Sequence, residues 1–362
     1  MSVNNKIQKL NNDLLNVYEE ISLKNGEIPQ DKNTDNLANA ITSIPTDPMN
    51  TLIVENGIKL GNSKFSEIPS WVDFSNATDM SYMFAYWRNL SSVSNLNLQN
   101  AINVTNMFFY CHNMTSVSNI NACNAIYVEY IIDGANNLTS ISNIDISGAH
   151  NVGRLFSGVS NLQSIDNINM SNVDDAANIL YSYSKLTTIS NINVSGASTI
   201  VNMVSNTPMS NITTVSNINA SNASNVLNFV PKVNLTTLSD IDISNATNVH
   251  NLFYGYAKLV QVSNINTSNA TDMSRMFQSC INLTTVSNLD ASNATDMSYM
   301  FQSCTKLSQS SIDNILQMCI GAVNYTGTKT LAVLRITNAM LKAYATDSIY
   351  YNDFLNAGWT IS

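Results

Sequence analysis

A unit of about 24 residues is written ten times between Leu90 and Leu307, and this period constrains the fold more than any single motif. The copies begin at Leu90, Met114, Leu138, Leu162, Leu186, Ile212, Leu235, Leu259, Leu283 and Leu307, in steps of 24 apart from one of 26 and one of 23. A unit this short cannot bury its own apolar residues, so consecutive units have to stack as coils that share a core. Stacking brings like residues together in columns at about 4.8 Å, and each column must tolerate itself.

The apolar columns pass that test. Val93, Val117, Ile141, Ile165, Ile189, Val215, Leu238, Val262 and Val286 form one, and the residues three further on, Leu96 through Leu289, form another. Between them runs Asn95, Asn119, Asn143, Asn167, Asn191, Asn217, Asp240, Asn264 and Asn288, where an amide can donate to one coil and accept from the next. A second column, Asn76, Asn100, Asn124, Gly148, Asn172, Gly196, Asn222, Asn245, Asn269 and Asn293, mixes two residue types that tolerate positive φ, which predicts a left-handed corner. The Asn-x-Ser/Thr sequons at such positions are then by-products of the corner.

After the corner, Ala77, Met80, Met83 and Phe84 recur as Ala270, Met273, Met276 and Phe277, a spacing that predicts a short helical or 3₁₀ segment covering the open side of the coil. The expected fold class is an α/β repeat solenoid, leucine-rich-repeat-like, with about ten 24-residue coils over residues 75–307. Residues 1–48 read as an N-terminal helical oligomerisation and docking segment, 49–74 as an N-terminal cap and 308–362 as a C-terminal helical cap. In the first, Val3, Ile7, Leu10, Leu14, Val17 and Ile21 follow a heptad seam, which points either to a parallel homo-oligomer, a trimer for a fibre, or to packing against a neighbouring helix. In the last, helices are expected at Ser311–Ile320, near Lys329–Leu334, at Thr337–Ala345 and at Ser348–Ala357.

A formal net charge of −9 without clustered Lys and Arg argues against nucleic acid as a partner. No apolar run suggests a secretion signal or a membrane span, which leads to the expectation of a protein made in the cytoplasm and not inserted in membranes. His112, His150 and His250 occupy non-equivalent positions, no catalytic motif is present, and no cofactor or metal is expected. Asp79, Asp272 and Asp296 suit helix capping, and Asp145, Asp240, Asp242 and Asp290 are too thinly spread for calcium. Cys111, Cys280 and Cys304 share one repeat position and are expected to be reduced, half-buried thiols without a bridge.

One stretch keeps its length but not its residue type, the return to the next strand. It carries Tyr86, Trp87 and Arg88, then Tyr110 and His112, Tyr181 and Tyr183, and Tyr254 and Tyr256, large amphipathic groups on an otherwise neutral Asn, Ser and Thr surface. These are the candidate ligand-binding residues, because rings with polar tips suit recognition and flat faces suit sugars; the competing reading is that they only pack along the edge. Paired hydroxyls such as Thr115-Ser116 and Thr284-Thr285 are explained by strand propensity.

The pattern A-T-D-M-S-x-M-F-x-x-C-x-x-L-T, at Ala270–Thr284 and again at Ala294–Leu307, resembles the BspA-like, DUF285-type leucine-rich repeats of bacterial surface proteins over about Phe74 to Leu307. Middle units such as Ala125–Ile132 and Val173–Leu180 keep only the apolar skeleton. The tail, with Tyr325 to Leu331 and Ala357 to Thr360, and the head, with Gly26, Pro29 and Pro45, are similar to the ends of phage and prophage tail proteins of low-GC Gram-positive hosts. The resemblance implies a non-enzymatic phage virion protein (tail fibre, baseplate or capsid fibre) that meets a host cell-surface polysaccharide or protein and joins other virion proteins through its N-terminus. The alternative it leaves is a bacterial cell-surface adhesin.

Overall fold

A computed structural model describes residues 52–53, 66–68, 72–180, 185–204, 211–230, 232, 234–331 and 333–361. The heptad positions Val3, Ile7, Leu10, Leu14, Val17 and Ile21 lie outside these residues, as does most of the expected N-terminal cap. The chain divides into two compact units, the boundary falling within the strand Ser164–Asn169. The first runs to Gln163 and includes Ile168–Met170; the second holds Ser164–Asn167 and continues from Ser171.

Both units are parallel β-solenoid. In the first, the strands Ser92–Asn97, Ser116–Asn121 and Ser140–Asp145 pair in parallel, with Val93 opposite Val117 and Val117 opposite Ile141. In the second, Thr188–Asn193, Thr214–Asn219, Thr237–Asp242, Gln261–Asn266 and Thr285–Leu289 do the same, keeping Ile189, Val215, Leu238, Val262 and Val286 in one row. Both apolar columns are buried, as their self-compatibility predicts.

Their spacing poses a problem that the Asn column solves. Residues three apart on a regular strand face opposite sides, yet Val93 and Leu96 both point inward. Asn95 between them stands at φ 57, and its equivalents Asn119, Asn143, Asn167, Asn191, Asn217, Asp240, Asn264 and Asn288 all lie between φ 52 and 57. One left-handed residue per strand resets the alternation and drops out of the pairing register, where Ser94 is matched with Ser118 and Leu96 with Ile120. Asn bears that conformation better than other side-chain-bearing residues. Its amide then joins the ladder: Asn119 Nδ2 donates to Asn95 Oδ1 at 2.9 Å and Asn143 to Asn119 at 2.8 Å.

The second Asn/Gly column is not left-handed, contrary to expectation. Its amides reach across to backbone, as Asn100 Nδ2 does to Ser75 O at 2.6 Å and Asn293 Nδ2 to Ser268 O at 2.7 Å. Gly148 and Gly196 fit the column because the preceding coil closes in, and a Cβ would meet Cys123 O at 2.6 Å or Ser171 O at 2.4 Å. Small size and amide reach select these residues, not φ.

The expected helical or 3₁₀ return is instead a run of linked turns. Met83, Ala85 and Trp87 each donate to the carbonyl three residues back, at 3.1 to 3.2 Å. The amides between them, of Tyr82, Phe84 and Tyr86, donate to Thr105, Met107 and Phe109 of the next coil. Left-handed residues at Tyr82 and Tyr86 keep the run from closing into a helix. The apolar side is as the spacing predicts: Met80, Met83, Phe84, Trp87 and Leu90 are buried, and Phe84 stacks on Phe108 at 5.4 Å.

The second unit closes on three helices, α1 (Gln309–Gly321), α2 (Ala339–Thr346) and α3 (Tyr351–Asn356). Ser311 of α1 accepts from Val286 N at 2.9 Å and donates to Thr284 O at 2.8 Å, occupying the edge that another strand would take. The piece expected as a helix near Lys329–Leu334 is not one: Val333 and Leu334 accept from Tyr299 N and Phe301 N as the turns of a further coil would. Trp359 is buried in this cap, stacked on Tyr325 and Phe354. Among the described residues no helix is long and apolar enough to cross a membrane.

Candidate functional site

The return turns sort the candidate residues by position. The column three residues before each repeat start faces the core, so Trp87 and Tyr256, expected on a binding surface, are 2% and 0% exposed. Trp87 packs edge-on to Phe84 at 5.2 Å, while Tyr256 packs on Phe253 and donates its hydroxyl to Val230 O at 2.6 Å. Neither can meet a ligand. Tyr181 and Tyr183 lie outside the described residues.

Cys111, Cys280 and Cys304 share this column and are fully rather than half buried, each donating its thiol to a carbonyl of the preceding coil at 3.0 to 3.1 Å. Burial pushes the Cys111 and Cys280 thiols up to about 12 and raises Cys304 further. All five cysteines are unbridged.

The neighbouring positions face outward. In the first unit Tyr86 is 50% and Tyr110 42% exposed, with ring centroids 5.9 Å apart and a 31° tilt. Half-buried Phe109 braces both, at 5.5 Å from Tyr86 and 4.4 Å from Tyr110, and also meets Tyr82 at 6.0 Å. The Tyr110 ring lies against Gly134, where a Cβ would come within 3.3 Å of it. His112 abuts Tyr110 edge-on at 5.1 Å and donates from Nδ1 to Gly134 O at 2.9 Å, which leaves Nε2 to accept in the neutral ring. Arg88 is exposed beside them. The structure thus brings Tyr86, Tyr110 and His112 into one aromatic shelf and adds Tyr82 and Phe109, which sequence reading passed over.

Tyr86 and Tyr110 hold φ 65 and 58 in a column where other coils place Gly134, Gly158 and Gly255 at φ 73, 65 and 74. The same corner is Ser279 and Ser303 at φ 64 and 67, and a left-handed conformation strains a large side chain more than it does a glycine. In the second unit Tyr254 is exposed one position earlier in its coil, with Lys232 Nζ 5.6 Å from its ring centroid.

The remaining polar columns are spent within the solenoid. Thr115 and Thr139 donate their hydroxyls to the carbonyls of Ser91 and Thr115. Asp79, Asp272 and Asp296 accept from the amides of Ser81, Ser274 and Ser298, and Asp145, Asp242 and Asp290 accept likewise from residues two further on, so these acids fasten turns rather than helices. Ser274 Oγ lies 2.6 Å from His250 Nδ1 but donates to Asp272 at 2.5 Å and is buried, so the three do not form a nucleophilic relay. Among the described residues no group of three or more His, Cys, Asp or Glu is placed to hold a metal.

Fold and columns together define a parallel β-solenoid built of 24-residue coils, with an aromatic shelf on the turn side of its first unit. Residues 58–164, 150–231 and 221–320 match the family described as Mycoplasma protein of unknown function, DUF285, and the chain belongs to that family. A solved leucine-rich repeat protein from Bacteroides ovatus is similar over 71% of this chain and 86% of its own, at 13% identity and a TM-score of 0.23. No curated protein matches the chain.

Proposed function

We propose that this chain is a recognition protein of a phage virion, a tail-fibre, baseplate or capsid-fibre component, which meets the bacterial host surface through the aromatic shelf of its first unit. Its N-terminal heptad residues Val3 to Ile21 assemble the copies and dock them on the virion. The observation that carries the reading is the placing of Tyr86 and Tyr110 at left-handed corners where glycine is the better residue for folding. Rings held 5.9 Å apart by Phe109 present a rigid face with hydroxyl tips, the geometry that suits a sugar ring at low entropic cost.

The reading is tested by binding of the full chain to host cells and purified wall polysaccharide, against a variant carrying Tyr86→Gly and Tyr110→Gly. Glycine suits both corners, so the variant keeps its stability while binding falls at least tenfold, about 1.4 kcal/mol. Retained binding contradicts the reading. Sedimentation as a monomer would move it toward an adhesin, which needs no fibre-type assembly.

A further inference from the structure

The coils of the second unit between Ser171 and Lys306 separate their charges. Between Ser171 and Lys306 the acids are Asp174, Asp175, Asp240, Asp242, Asp272, Asp290 and Asp296, all on the strand half of a coil or at its corner. The bases, Lys185, Lys232, Lys258, Arg275 and Lys306, all fall in the turn half. No Asp or Glu occurs in 176–185, 200–211, 226–234, 249–258, 273–282 or 297–306, and no Lys or Arg in the strand segments between them. On a chain with a formal net charge of −9, the turn half of these coils thus carries basic residues and no acidic ones.

Lys232, Lys258, Arg275 and Lys306 are held by neutral groups. Lys258 Nζ donates to Asn234 Oδ1 and Lys306 Nζ to Asn282 Oδ1, both at 2.6 Å, while Lys232 lies over Tyr254. Arg275 and Arg335 both lie against Tyr299, with guanidinium carbons 5.3 and 4.3 Å from its centroid. Asp272 and Asp296, three residues before Arg275 and Tyr299, are turned to the amides of Ser274 and Ser298. Arg275, Tyr299 and Arg335 stand at φ 57, 60 and 62 in a column that is Asn at 178, 202, 228 and 251, so large side chains, two exposed arginines and a half-buried tyrosine, sit in a strained left-handed conformation here too. Arg335 extends the row because its segment runs beside the last coil.

We propose that this basic flank binds a linear phosphodiester-linked polyol, an anionic polymer of the cell envelope, as a contact separate from the aromatic shelf. The proposal rests on the reading of the chain as an envelope-recognition protein. The cations stand at different positions of the turn half, Lys185, Lys258 and Lys306 directly before a repeat start and Arg275 eight residues before one, so about one per coil at a roughly 4.8 Å rise makes a narrow band suited to one thin polyanion rather than a duplex. The rings on this flank, Tyr254 and Tyr299, already carry cations on their faces, so they brace charge instead of offering a platform to nucleobases or neutral sugars.

The test uses the full chain on a biosensor with a synthetic glycerol-phosphate oligomer, neutral dextran and single-stranded poly(dT), between about 50 and 200 mM salt. Glycerol phosphate binds, with a salt slope near −3 for about four cations at roughly −0.7 each. Lys258→Asn, Arg275→Asn, Lys306→Asn and Arg335→Asn combined reduce affinity at least tenfold with unchanged thermal midpoint, since Asn is native to the columns of the first three. Asp240→Asn with Asp242→Asn on the opposite flank does not weaken binding. No binding, a salt-independent signal, retention by the fourfold variant, or tighter binding of poly(dT) overturns the proposal. Cell binding by the Tyr86 and Tyr110 variants is measured in parallel, so loss of the polyol contact with the shelf contact intact refutes this inference alone.

Discussion

Asn288 donates from Nδ2 to Oδ1 of Asn264, one coil earlier, at 2.6 Å, and both residues stand in the left-handed region at φ 52 and 54. The pair states the logic of the coil: the residue that turns a strand so that two apolar side chains three apart both face inward is also the residue that ties the coil to its neighbour.

Substitution at Asn264 separates the two roles. Asn264→Gly keeps the φ and loses the ladder bonds, costing about 1 kcal/mol for an exposed pair. Asn264→Val loses the bonds and adds left-handed strain on a β-branched residue, for a total of about 2–3 kcal/mol. Urea unfolding orders wild type above Gly above Val; equal losses for both variants would deny the conformational role.

Adjacent residues on the return turn have opposite duties. Trp87→Ala opens the core against Phe84 and lowers stability by about 3–5 kcal/mol. Tyr86→Ala changes stability by less than about 0.5 kcal/mol and acts on binding. Denaturant midpoints paired with cell-binding titrations check this; a stable Trp87 variant would show that the column does not face inward.

The buried thiols give a pH signature. Their ordinary value is 9.0, and burial lifts Cys111 and Cys280 to about 12, so above pH 9 the unfolded chain loses protons that the folded chain keeps. The stability contributed by these groups is fully present below pH 9 and is lost as pH rises from 9 toward 12. Native alkylation at pH 8 therefore labels half-buried Cys123 in preference to the four buried cysteines, and the urea midpoint falls on the alkaline side. Rapid native labelling of Cys280 would contradict the burial.

Much of the fold was legible because self-compatibility along a column is a strict filter, which Val93, Leu96 and their repeats pass. The left-handed position was misplaced onto the Asn76 column because Asn and Gly share two properties, tolerance of positive φ and small size, and composition cannot say which is used. The three-residue gap between Val93 and Leu96 was the better signal, since no regular strand puts both inward. Trp87 and Tyr256 were misassigned because the return was read as a loop; their column also holds Cys111, Ala135 and Val159, an apolar set. The basic flank is not legible along the chain because its members are 17 to 47 residues apart and come to one side only when the coils stack.

Every columnar feature, shelf and flank included, depends on coils pairing in register, and an engineered disulfide measures this most directly. Ser239 lies opposite Ser263 in the paired strands. Ser239→Cys with Ser263→Cys is predicted to oxidise readily to one bond joining the tryptic peptides on either side of Lys258, while Ser239→Cys with Asn264→Cys stays largely reduced. Equal oxidation of both pairs, or of the second alone, would contradict the register and the account built on it.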